Sequence, residues 1–198
     1  PVRFIGNYSS GKMGFALAEA CAERGAEVTL VAGPVSLKTH HPAIKRIDVE
    51  SAGEMYQAAM TAFPSSDAAI LCAAVADYRP ENASEQKIKR ETEGEMTLHL
   101  VPNPDIAASL GAIKREGQVM VGFALETNDE ATHAEGKLKR KNLDFIVLNS
   151  LRDQGAGFRC DTNKITIIDN AGGVTSYPLK TKREVACDIV NKLVTLLK

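Results

Sequence analysis

Residues Asn7 to Gly14, Asn-Tyr-Ser-Ser-Gly-Lys-Met-Gly, have the composition of an anion-binding turn. Small side chains let a ligand approach the backbone, and N–H groups at a helix head carry partial positive charge. Counted from Gly6, the run to Met13 satisfies G-x-x-x-x-G-K-[ST] except at its end, where Met13 replaces the magnesium-binding hydroxyl. A Walker loop also follows a full buried strand, and the lead into Gly6 is short. Two other readings stay open: a plain helix start capped by Ser9 or Ser10, and a phosphate site made of backbone amides around Ser9, Ser10 and Gly11.

Other polar groups stand at the ends of apolar runs. Asp77 follows Asp67 to Val75, a run apolar on both faces, and Lys87, Lys89 and Arg90 come about ten residues later. Lysines on such a loop can close over a polyphosphate, or can simply be solvated. Asn103-Pro104-Asp105 reads as a helix start capped by Asn103. Gly122 to Asn128 ends a strand with Phe123, Glu126, Thr127 and Asn128, so it either lines a pocket or runs into a helix cap. The basic run Lys137 to Asn142 complements a helix C-terminus. There is no G-x-G-x-x-G and no acid closing the strand at Ala32-Gly33, which argues against NAD or NADP. The four histidines show no ligand spacing, and no G-x-S-x-G elbow occurs. A magnesium ion brought in on a triphosphate remains compatible with this chemistry.

The elements that must position these groups alternate. Helices are expected over Gly11 to Arg24, Ser51 to Phe63, from Asn103-Pro104 onward, over Asp129 to Lys141, and at the C-terminus, where Val185, Ile189, Leu193 and Leu196 form a stripe. Strands are expected at Glu27 to Gly33, Ile44 to Val49, Asp67 to Val75, Met96 to Val101, Val119 to Leu125 and Phe145 to Asn149. A hairpin from Lys164 to Tyr177 turns at Gly172-Gly173. Residues 76–95 read as a long polar loop. This pattern predicts an α/β fold, a three-layer, Rossmann-like, doubly wound, mostly parallel sheet with a C-terminal hairpin, in one domain over residues 1–198. Ligands in such sheets bind beyond the carboxyl ends of the strands.

With 24 basic and 25 acidic residues the net charge is −1, so no long-range field favours nucleic acid or an anionic membrane. The hydrophobic content of 44% contains no run long enough to span a bilayer. Cys21, Cys72, Cys160 and Cys187 form no C-x-x-C pair, so buried, reduced thiols and a cytoplasmic location are expected. Pro1-Val2-Arg3-Phe4 reads as a start cut from something longer.

Pro1 to Arg3, Asn7 to Gly14, Ala73 to Arg79, Lys87 to Arg90, Asn103 to Ile106, Gly122 to Asn128 and Lys137 to Asp144 resemble, in order and spacing, the motifs of phosphopantothenoylcysteine synthetase (phosphopantothenate–cysteine ligase). The resemblance implies a CTP-dependent enzyme of coenzyme A biosynthesis that joins 4'-phosphopantothenate to L-cysteine through an acyl cytidylate, with Mg2+ carried on the CTP phosphates. It also implies a homodimer. In bacteria the family usually forms the C-terminal half of a fusion whose other half is an FMN-dependent decarboxylase.

Carried over residue by residue, the resemblance gives Asn7 to the acyl-cytidylate step and Lys87 to a mobile flap. Ser9, Ser10 and Gly11 fall on the phosphate turn, and Ala73 and Ala74 fall where backbone groups read the cytosine edge. Asp77, Pro104, Asp105, Ile106, Ala107, Phe123, Lys137 and Lys141 fall on the nucleotide site. Family members carry, before the position of Pro1, a strand ending in a phosphate-binding loop, so the sheet here is expected to lack a central strand. Rival readings are a non-catalytic nucleotide-binding module of the same fold and a ligase that uses ATP, as eukaryotic relatives do.

Overall fold

The structure is a computed structural model that describes residues 4–84, 86, 96–126, 130–150 and 160–197, with backbone alone at 125–126, 130–133 and 150. Among the described residues five α-helices follow the periodicity: α1 (Lys12–Ala22), α2 (Ala52–Ala62), α3 (Ile106–Ile113), α4 (Glu130–Arg140) and α5 (Lys182–Val194). The Ser51 capping box forms as expected, its hydroxyl accepting from the Glu54 amide while the Glu54 carboxylate accepts from the Ser51 amide. Pro64 follows in a 3-10 turn (Phe63–Ser65).

The main sheet contains β3 (Ala68–Leu71), β6 (Val119–Glu126), β7 (Phe145–Ser150), β9 (Ile165–Asp169) and β10 (Val174–Ser176), in the order β10-β9-β7-β6-β3. β3, β6 and β7 are parallel, while β9 and β10 form the expected antiparallel hairpin. Alternate residues of the same strands face opposite layers. Val121, Phe145, Val147, Ile165 and Ile167 pack with Leu17 of α1 and Val185, Ile189 and Leu193 of α5. Met120, Ala124, Ile146, Leu148 and Ile168 pack with Leu110 of α3 and Ala134 and Leu138 of α4. Two apolar faces on one strand therefore produce three layers. Gly111 permits the second layer to close, because a methyl there would collide with the Lys141 carbonyl.

Three expectations need correction. β1 (Val28–Ala32) pairs in parallel with β2 (Ile44–Asp48), but among the described residues this pair is not hydrogen-bonded to the main sheet. β3 was expected to be central, yet it ends the five-stranded sheet and all four of its residues are half-buried, since only its β6 side carries a described partner. The polar loop contributes β4 (Tyr78–Pro80), paired antiparallel with β5 (Leu100–Pro102), so the strand expected from Met96 begins only at Leu100. β8 (Thr162–Asn163) and β11 (Lys180–Thr181) form another short antiparallel pair. The cysteine thiols are free but half-buried, and burial pushes Cys72 up to about 11. Among the described residues no helix is long and apolar enough to cross a membrane.

Candidate functional site

The head of α1 lies at the carboxyl end of β3, where a methyl on Gly14 would sit 3.2 Å from the Cys72 sulfur, one residue past the strand. The N-cap is Gly11 and not a serine: its φ is +74°, a left-handed conformation that costs glycine little. Val35 packs where a side chain would go, at 3.2 Å. The Gly11 amide donates to Ser9 Oγ at 3.3 Å, so Ser9 braces the turn instead of capping the helix. The N-cap of α1 thus supplies no side-chain bond, and α1 has no acid in its first turn. A helix head so built favours an anion.

Asn7 reaches across the gap. Its Nδ2 donates to the Val75 carbonyl at 3.1 Å, which ties an exposed carboxamide to the segment that begins with Ala73 and Ala74. The next tie comes from Asn103, whose Nδ2 donates to the Ala76 carbonyl at 2.8 Å and whose amide donates to the Asp77 carbonyl at 2.8 Å. Arg79 donates to the Pro102 carbonyl at 2.7 Å. Asn103 was expected to cap α3. With its side chain spent on Ala76, the cap passes to Asp105, which accepts from the Ala108 amide at 3.0 Å. Pro104 precedes the cap.

Lys141 joins the same group through Asp105, at 3.0 Å. Burial raises the Asp105 pKa, but the amide of Ala108 and the ammonium of Lys141 outweigh it and hold the carboxyl below its ordinary value. Ile106 and Ala107 are half-buried in the first turn of α3, and Lys137 is half-buried in the last turn of α4. Phe123 lies on β6 opposite Val147, half-buried against the core. Asn7, Ala73, Ala74, Asp77, Pro104 to Ala107 and Lys141 are therefore linked by direct bonds or adjacent segments. Lys137 and Phe123 stand on the elements behind them. Lys87, Lys89, Arg90, Thr127 and Asn128 lie outside the described residues.

The structure adds residues that sequence reasoning passed over. Asn149 pairs with Ile165 at the carboxyl end of β7, and its Oδ1 is buried without a partner. Its signal was one polar residue closing the apolar run Phe145 to Leu148. Asn163 Oδ1 is likewise buried and unpartnered. Among the described residues no three His, Cys, Asp or Glu side chains form a group able to hold a metal ion. The donor set fits a cation that arrives on phosphate oxygens better than one caged by protein. At the opposite end of the sheet, a polar cleft of about 300 Å³ is lined by Lys114, Arg115, Gln118, Asn142 and Asp144. Its Lys114–Asp144 pair, at 2.7 Å, also anchors the Met120 amide, which is a structural task.

The chain is similar to known proteins over nearly its whole length. A family model described as the DNA/pantothenate metabolism flavoprotein C-terminal domain matches residues 1–197. A curated protein named cysteine/cysteine sulfinic acid decarboxylase, from an unknown prokaryotic organism, is 59% identical over 197 residues, spanning 100% of this chain and 55% of its own length. The coenzyme A biosynthesis bifunctional protein CoaBC of Vibrio parahaemolyticus is 48% identical over 198 residues, spanning 100% of this chain and 49% of its own. The chain thus spans about half the length of these curated relatives. A crystal structure of the C-terminal domain of CoaBC superposes with a TM-score of 0.82 at 37% identity, covering 99% of this chain and 87% of that one.

Proposed function

The chain belongs to the family of the DNA/pantothenate metabolism flavoprotein C-terminal domain, and from that membership we propose that it is a phosphopantothenate–cysteine ligase of coenzyme A biosynthesis that uses CTP. The observation that carries the reading is the bond path Asn7–Val75, Asn103–Ala76 and Lys141–Asp105, which joins four motifs far apart in sequence around the carboxyl ends of the strands.

In the first half-reaction a carboxylate oxygen of 4'-phosphopantothenate attacks the α-phosphorus of CTP. A new P–O bond forms, the bond to the β-phosphate oxygen breaks, and pyrophosphate leaves. In the second the amine of L-cysteine attacks the acyl carbon, the C–O bond to CMP breaks, and nitrogen loses a proton to solvent. The turn of Ser9, Ser10 and Gly11, together with the head of α1, holds phosphate oxygens, and water exclusion strengthens that grip. Ala73 and Ala74 read the base edge, while Asp77, residues 104–107, Phe123, Lys137 and Lys141 enclose the nucleotide. Asn7 donates to the acyl oxygen. Lys87 adds positive charge for the phosphates. Bound magnesium would neutralise triphosphate charge.

The decarboxylase name of the first relative refers, in this reading, to the part of that protein outside the match, the part that would also hold FMN. The ligase works as a homodimer. Met96, Leu98 and Leu100 present apolar side chains 62%, 52% and 44% exposed at every second position, with Tyr78 on the partner strand 54% exposed. Such a stripe suits a second copy of the same chain.

The test is pyrophosphate release from CTP or ATP with phosphopantothenate, with cysteine added last. Release with CTP before cysteine, followed by amide formation, supports the proposal. Preference for ATP overturns the base assignment, and binding without release makes the protein a non-catalytic nucleotide module.

A further inference from the structure

Three successive carbonyls of the segment that leads from β3 to β4 are each held by a donor from elsewhere in the chain. Asn7 Nδ2 donates to Val75 at 3.1 Å, and Asn103 serves the next two, its Nδ2 donating to Ala76 and its backbone amide to Asp77, both at 2.8 Å. A trans peptide points its N–H opposite to its C=O. Fixing the carbonyls of Val75, Ala76 and Asp77 therefore fixes the directions in which the amides of Ala76, Asp77 and Tyr78 point.

Asn103 is held in turn by Arg79, which reaches across the β4–β5 ribbon. Its Nη1 donates to the Pro102 carbonyl at 2.7 Å and to Asn103 Oδ1 at 3.3 Å. A guanidinium has donors only, so it pairs with the oxygen end of the carboxamide and leaves Nδ2 to face Ala76. Beyond Asn103, Pro104 stiffens the link to Asp105, the cap of α3. The clamp thus joins the two halves of the nucleotide site, residues 73–77 before β4 and residues 104–107 at the head of α3. Arg79 is exposed and Asn103 half-buried, so these bonds seal no core. They restrain the stretch of backbone that meets the base.

A hydrogen-bonding site rejects the wrong ligand because that ligand leaves the site's polar groups unpaired, and this works only if those groups keep their places. We propose that Asn103, oriented by Arg79, is a positioning residue that sets the choice of nucleotide base, by holding residues 73–77 in the register at which their backbone groups meet the cytosine edge. The proposal rests on the ligase reading, which puts that edge at Ala73 and Ala74. Asn103 acts through the carbonyls it holds and not by contact with the reacting phosphates.

The test measures kcat/KM of pyrophosphate release with CTP and with ATP at saturating phosphopantothenate. The wild-type chain favours CTP. Asn103→Asp keeps the side-chain size and the backbone bond to Asp77 but sets a carboxylate oxygen against the Ala76 carbonyl. The CTP value should fall roughly tenfold, mostly through KM, while the ATP value stays within about threefold. Arg79→Met should lower the CTP-to-ATP ratio about threefold, and Arg79→Lys, which keeps a donor, should restore most of it. A loss of folded protein alone would lower both nucleotides alike. Equal losses, or an unchanged ratio in the folded variants, overturn the proposal, as does a wild type that releases pyrophosphate without favouring CTP. If Asn103→Asp fails to fold, Arg79→Met and its rescue by Arg79→Lys decide. A wild type that releases no pyrophosphate with either nucleotide overturns the ligase reading beneath; calorimetric affinities for CTP and ATP in the same variants then judge the clamp, and an unchanged affinity ratio overturns it.

Discussion

β7 and β3 are built from the same kind of apolar residues and end in opposite circumstances. Phe145, Ile146, Val147 and Leu148 are each at most 4% exposed, covered by helices on both faces and by β6 and β9 on both edges. Among the described residues Ala68 to Leu71 pair only with β6, and β1 stands apart with β2. Strand-forming residues therefore determine where a strand forms, while neighbours determine whether it becomes core. In this chain the sealed half supplies rigidity and the open half supplies the crevice, where Asn7, Val75 and Asn103 tie three loops together.

That contrast can be broken by mutation, beginning with the core. Phe145→Ala should cost roughly 3–5 kcal/mol of folding stability, and Ile70→Ala in β3 about 1–2 kcal/mol, read from urea midpoints. Equal losses would show that the two halves are equally sealed. In the crevice, Asn7→Ala should slow amide formation on the order of a hundredfold and leave pyrophosphate release within about threefold. Parallel losses would remove Asn7 from the acyl step. On the exposed ribbon, Leu98→Glu should convert dimers to monomers in sedimentation velocity, because a charge cannot be buried unpaired there. A monomeric wild type would contradict the interface. Gly11→Ala should cost about 1 kcal/mol through its left-handed φ and also weaken CTP binding by calorimetry. Loss of stability with unchanged affinity would separate the turn from the ligand.

The smallest effect is a pH dependence at Asp105. Its folded pKa lies below the ordinary value of 3.8, so its carboxylate adds stability above that pH, and the contribution is lost as pH falls through the folded value. Its side chain is half exposed, so solvent screening keeps the contribution below about 1 kcal/mol. Asp105→Asn should therefore destabilise slightly near neutral pH, and the effect should vanish once the pH has fallen below the folded value. A loss that persists in acid would mean that the capping geometry, and not the charge, carries the effect.

The sequence made the three layers legible because alternating apolar residues on β6, β7 and β9 point into two cores. Segment order likewise revealed which loops meet at the carboxyl edge. Local rules failed where backbone geometry or distant partners intervened. Ser9 and Ser10 suggested a side-chain cap, but the left-handed Gly11 made one unnecessary. Asn103 looked like a cap, and its carboxamide is instead spent 27 residues away on Ala76. The two- and three-residue strands β4, β8 and β11 are too short to show a period. Nothing in the spacing around Lys182 marks it as buried, yet the fold leaves it only 7% exposed.

The most direct test of the account is the position of the nucleotide in crystals grown with CTP and magnesium. Phosphates are expected against the turn of Ser9, Ser10 and Gly11 at the head of α1, with the base edge at Ala73 and Ala74. Phosphates in the Lys114–Arg115 cleft at the opposite end of the sheet would contradict it.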